Sequence, residues 1–176
     1  MMSRAGLSSL VVAVAAIAIA HAAESLQIVP IVDGRHVLVS FELADAYTND
    51  VHDVVASGLR TTFTFEVELR MRVPAWVDRT VATAVVSVSD QYDNLTQRHH
   101  LLRTIDGRVE DDTVTEDEAV ARRWLTSLTR EPLCDTSGLD PSRDYYVRIR
   151  ARMPDRTSWL GWAHTITGQV RFTFVP

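Results

Sequence analysis

Arg148, Arg150 and Arg152 recur at every second position of a run whose intervening residues are apolar, so on an extended strand their guanidinium forks stand in a row on one face. Such a row suits a phosphate, a carboxylate or an acidic partner strand, because each fork offers parallel donors that match two oxygens at once. It equally suits cross-strand pairing within the fold, and Glu66 and Glu68 stand at the matching two-residue spacing. Trp159 and Trp162 supply a second candidate surface, an aromatic patch for a partner or a glycan, although packing at the lip of a core is the commoner fate of tryptophan. These two groups are the candidate binding residues.

The other reactive side chains point less clearly to a site. His99 and His100 are adjacent, and neighbours on a strand face opposite ways, so both cannot reach one metal ion without a bulge. His36, His52 and His164 have no metal-ligand spacing, and Glu110, Asp111 and Asp112 lack the glycine and the spaced carboxylates of a calcium loop. Asp90, Asp93 and His99 or His100 could be assembled into an acid–base set, with Ser87 or Ser89 as nucleophile, but no glycine-flanked elbow accompanies them. Cys134 is the only cysteine and has no histidine near it in sequence, so it reads as a small buried apolar residue and leaves no partner for an internal disulfide. Asn94-Leu95-Thr96 fits a glycan-acceptor pattern but reads as a turn. No catalytic residue, metal or cofactor is expected.

Strands must carry most of these residues. Leu26 to Val32 and His36 to Leu43 flank Asp33-Gly34, a dipeptide suited to a tight hairpin. Phe63, Phe65, Val67, Leu69, Met71 and Val73 alternate strictly with polar residues, which predicts a strand with one buried face at the centre of the core, ended by Pro74. Arg79 to Val88 and Leu95 to Ile105 read as a long hairpin turned at Asp93-Asn94. Asp106-Gly107 then leads into Arg108 to Val114, placed at a sheet edge by its three consecutive acids. Tyr145 to Met153 and Thr165 to Val175 close the domain.

Two segments change period. Val51, Val54, Val55 and Leu59 recur at helical spacing behind Thr48, Asn49 and Asp50, with Gly58 near the end. Thr115-Glu116-Asp117-Glu118 reads as a capping box, with Val120, Ala121, Trp124, Leu125 and Leu128 as the apolar stripe of a helix that carries Arg122, Arg123 and Arg130 toward its C-terminal end and stops at Pro132. About seven strands with hairpin signals and two short helices predict a mainly β, antiparallel, β-sandwich-like single domain.

The 176 residues suffice for one such domain, and 46% apolar with 23% charged residues is an ordinary globular composition. A formal charge of −5 supplies no basic field for nucleic acid. Arg4, the apolar stretch from Leu7 to Ala20 and the small residues Ala20-His21-Ala22 follow the logic of a secretory signal over residues 1–22, leaving a domain over 23–176. The apolar stretch is short for a membrane span, and no cysteine follows it to take a lipid. A periplasmic or secreted protein without stable membrane insertion is expected.

The Val-rich hairpin, Ala56-Ser57-Gly58-Leu59, the Phe-x-Phe-x-Val-x-Leu strand and Tyr92-Asp93-Asn94-Leu95-Thr96, in that order behind an export signal, resemble the bacterial DUF4390 family over nearly the whole mature chain. The family name denotes unknown function, so the resemblance implies no activity and no catalytic residue. The expected function is a non-catalytic envelope module that binds a protein or peptide through a sheet edge or through the Arg148 to Arg152 face. The alternatives are a hydrolase-like enzyme, for which a deep pocket holding carboxylates or histidines would speak, and an extracytoplasmic sensor, for which a closed apolar cavity would.

Overall fold

The structure, a computed structural model, describes residues 25–153 and 164–173. Among them the chain forms β1 (Leu26–Asp33), β2 (His36–Leu43), α1 (Asn49–Ala56), β3 (Thr61–Met71), β4 (Arg79–Asp93), β5 (Arg98–Ile105), β6 (Arg108–Thr115), α2 (Glu118–Thr126), β7 (Ser127–Asp135), β8 (Asp144–Met153) and β9 (His164–Thr173). The strands form a three-stranded sheet in the order β1-β2-β7 and a six-stranded sheet in the order β6-β5-β4-β3-β8-β9. Every neighbouring pair is antiparallel.

The alternation in β3 works as its pattern demands. Phe63, Phe65, Val67 and Leu69 are buried, and the strand lies between β4 and β8 in the middle of the larger sheet. Its inner face meets β2, where the rings of Phe41 and Phe65 lie 4.6 Å apart, and Val37, Val39, Val86, Val88, Val147 and Ile149 fill the space around them. Two sheets with a shared apolar filling make the sandwich. Toward the same core, α1 buries Val51 and Val55, and α2, which runs directly into β7, buries Ala121 and Leu125.

Turns fix the register. Asp106 and Gly107 both have positive φ, 49° and 79°, which is the geometry a two-residue hairpin turn needs between Ile105 and Arg108. Asp93 holds the β4–β5 turn by accepting from the amides of Leu95, at 2.8 Å, and Thr96, and from the Thr96 hydroxyl, at 2.8 Å. Asn94-Leu95-Thr96 is therefore that turn, and the strand it leads into begins at Arg98 rather than Leu95.

The second helix differs from its expectation at both ends. Its N-cap is Asp117, whose carboxylate accepts from the Ala119 amide at 2.8 Å, while Thr115 belongs to β6. It stops at Thr126, and Ser127 to Asp135 is a strand that pairs with β2. Leu128 sits at helical spacing behind Leu125 but is buried opposite Phe41, where β7 pairs with β2 as the third strand of the smaller sheet, a tertiary pairing that overrides local helical spacing. In the first helix Thr48 caps as expected, but Leu59 lies beyond the helix and is exposed.

Candidate functional site

The arginine row lies on the outer face of the six-stranded sheet. Register places Arg148 opposite Glu68, Arg150 opposite Glu66 and Arg152 opposite Thr64. Arg148 donates from Nε to Glu68 Oε2 at 2.6 Å, Arg150 lies 3.3 Å from Glu66, and Arg152 reaches the same carboxylate at 3.7 Å. Exposure rises along the row, from 20% for the Arg148 side chain to 58% for Arg152. The foreseen cross-strand pairing is present, and the two inner guanidiniums are engaged by it. Above them, Tyr146 donates its hydroxyl to Asp78 at 2.9 Å, which helps hold the Asp78 carboxyl below its ordinary value. Trp159 and Trp162 lie outside the described residues.

The opposite end of the same sheet presents an edge. β6 is exposed along nearly its whole length, with Glu110, Asp111, Asp112, Val109 and Val114 at its surface. It is the terminal strand of its sheet, and half of its backbone N–H and C=O groups face away from β5. The sequence-based expectation of an acidic edge strand holds.

A third region gathers residues that are far apart in sequence. Tyr47, His52, Tyr92, His99, Glu116 and Glu118 line a half-open cavity of about 520 Å³ beside α1, the β4–β5 hairpin and the start of α2. Behind its wall, Asp90 and His99 point to the inner face from diagonal positions of β4 and β5, since Asp90 pairs with Leu101 and Tyr92 with His99. Asp90 is fully buried and His99 is 5% exposed, and His99 Nδ1 lies 2.9 Å from Asp90 Oδ2. Burial pushes the Asp90 carboxyl up, against the opposing pull of its hydrogen bond to His99. The Tyr92 ring stacks on the imidazole at 4.7 Å.

The Tyr47 hydroxyl is buried with no hydrogen-bond partner among the described residues. Burial, reinforced by the charges of Glu118 and Asp90, pushes its phenol up to about 12. On the rim, Arg98 holds Glu116 at 2.9 Å and His52 lies 3.6 Å from Glu118.

Of the acid–base residues weighed from sequence, the fold brings Asp90 and His99 together and leaves the others apart. Asp93 is engaged in its turn, His100 faces the other side of the sheet and is exposed, and Ser87 and Ser89 also lie on that other face. Cys134 is half-buried against the core on β7, and burial pushes its thiol up. Sequence reasoning passed over Tyr47, Glu116 and Glu118 as site residues, and no local pattern joins them. It also passed over Trp76 and Val77, which stand 81% and 75% exposed at the β3–β4 turn beside Ala75, whose φ is 60°.

No group of three or more histidine, cysteine or acidic residues able to hold a metal ion occurs among the described residues, and none of the described helices is long and apolar enough to cross a membrane. The family model for a domain of unknown function, DUF4390, matches residues 20–158. Neither a curated protein nor a solved structure matches the chain.

Proposed function

The chain belongs to the DUF4390 family, and from that premise we propose that it is an exported, non-catalytic module of the cell envelope that binds an extended segment of a protein partner along β6. The export signal read over residues 1–22 supports the location. The observation that carries the binding mode is the contrast between the two surfaces weighed from sequence. Arg148 and Arg150 are engaged by Glu68 and Glu66, whereas β6 ends its sheet with backbone groups open to an added strand. Glu110, Asp111 and Asp112 select the occupant. They repel a second copy of this edge and favour a segment carrying Lys or Arg.

The test is hydrogen exchange of the protein with short extended peptides that alternate Val with Lys or Val with Glu. The Lys peptide protects amides within residues 108–115 and the Glu peptide does not. Equal protection by both, or protection confined to another strand, overturns the assignment.

The enzyme alternative keeps one supporting observation, the buried Asp90–His99 pair at the wall of a cavity that also holds two glutamates. It requires His99 Nε2 to take a proton from water or substrate, and turnover abolished by His99→Gln in a folded protein is its signature. The sensor alternative called for a closed apolar cavity. Among the described residues, the space enclosed between Val39, Val67, Val86 and Leu128 is about 10 Å³ and lends that alternative no support.

A further inference from the structure

The cavity beside α1 is lined mainly by groups that accept hydrogen bonds. In the tautomer that donates Nδ1–H to the Asp90 carboxylate, Nε2 carries a lone pair. Among the described residues the imidazole is hydrogen-bonded through Nδ1 alone, and the ring, 5% exposed, lines the cavity wall. An acceptor that opens on a cavity accepts from a donor placed there. Glu118, 3.6 Å from His52, adds an anionic acceptor on the same wall, and the Tyr47 oxygen is without a partner among the described residues.

The charges favour a cation. Arg98 is the nearest base to Glu116 and is paired with it, so those two cancel. Arg122 lies over the Tyr47 ring, 5.6 Å from its centroid, and is the one guanidinium set against the remaining Glu118 and Asp90 carboxylates, with the His52 imidazole 3.6 Å from Glu118. The local balance is negative. A volume of about 520 Å³ falls within the range of small-molecule sites, roughly 300–1,000 Å³.

We propose that this cavity recognises a compact organic ammonium group, whose N–H donors meet the His99 Nε2 lone pair and the Glu118 carboxylate while a neighbouring hydroxyl meets Tyr47. Amino sugars and small amino alcohols have this chemistry, as does a primary amine displayed on a larger molecule. The assignment is independent of strand addition at β6, which uses a different set of atoms.

Calorimetric titration of the full chain, with the histidine ring resonances followed in parallel by NMR, tests it. The probes are glucosamine and ethanolamine, with glucose and N-acetylglucosamine as the forms lacking an ammonium, and a lysine-containing peptide to separate a displayed amine from a free one. Glucosamine and ethanolamine bind and shift the His99 ring signal, and N-acetylglucosamine binds at least about tenfold more weakly, a difference of about 1.4 kcal/mol. Glu118→Gln, an exposed position at the start of α2, weakens amine binding by about tenfold or more, whereas Glu110→Gln on β6 removes the same charge elsewhere and leaves it unchanged. If the lysine peptide shifts the His99 ring signal and loses affinity in Glu118→Gln while the free amines do not bind, the amine recognised is one displayed on a larger molecule. Indifference to all the amines, equal affinity for the acetylated sugar, or full affinity in Glu118→Gln overturns the proposal.

Discussion

Two ionic clusters occupy opposite faces and opposite halves of the same six-stranded sheet. On the outer face, Arg148 and Arg150 meet Glu68 and Glu66 directly across β8 and β3, and each charge has its counter-charge one strand away. On the inner face, Asp90 and His99 meet diagonally across β4 and β5, sealed from water on one side and open to a cavity on the other. The outer cluster is closed upon itself and rimmed by solvent. The inner one leaves the Tyr47 phenol without a partner among the described residues and lines its cavity with His99 and two glutamates. Charge that draws the eye in a sequence is thus often charge the fold has already neutralised, and unsatisfied hydrogen-bonding capacity is the better guide to where a second molecule fits.

The comparison predicts a ranking of energies. Asp90→Ala should cost about 3 kcal/mol in urea unfolding, because it strands a buried imidazole beside a new void. A loss below about 1 kcal/mol would mean that the inner pair is not the buried network described. Next comes the Arg148–Glu68 contact, whose side chains are 20% and 11% exposed. A double-mutant cycle should return about 1–2 kcal/mol of coupling for it, and about 0.5 kcal/mol for the more exposed Arg150–Glu66 pair. Arg152→Ala should change stability by less than about 0.5 kcal/mol, and a larger effect would show that the row acts as one network.

The smallest effect is in the pH dependence. Asp78, Asp93, Asp135 and Asp140 are held below their ordinary value of 3.8, chiefly by hydrogen bonds from neighbouring amides and hydroxyls. Their folded forms release protons more readily than the unfolded chain does. Their contribution is therefore present above pH 3.8 and lost as pH falls through the lowered values. Asp90 is raised, so it acts in the opposite sense, and its contribution declines as pH rises from 3.8 through its folded value. Asp93→Asn should make the acid-side loss of stability shallower. Asp90→Asn should make the rise in stability just above pH 3.8 steeper, as read from thermal midpoints across an acid titration.

Strict alternation made β3 and β8 legible, because each buries an apolar face and carries on its other side a polar face that is largely half-buried. β7 was not legible. Its apolar residues are interrupted by Thr129, Arg130 and Glu131, its pairing with β2 shifts register twice, and Leu128 continues the helical spacing of Ala121 and Leu125. Arg130 has a φ of 54°, donates its amide to Ser40 Oγ and pairs with Asp33, a set of long-range contacts that no local window contains. The arginine pairing was legible as soon as two strands could be written side by side. The cavity was not, since its residues come from positions 47 to 118 and meet only after both helices have packed. Asp90 and His99 could be named from sequence as one acid–base option among several. Only the hairpin register separates that pair from the equally plausible Asp93 and His100.

Gly168 on β9 lies so close beneath β1 that a methyl group in its place would come within 2.9 Å of the Leu26 side chain. The first and last of the described strands are therefore in direct contact, and the smaller sheet gains its third member only when β7 arrives. An emerging chain cannot assemble this architecture piecemeal from its front end, and slow folding dominated by distant contacts follows.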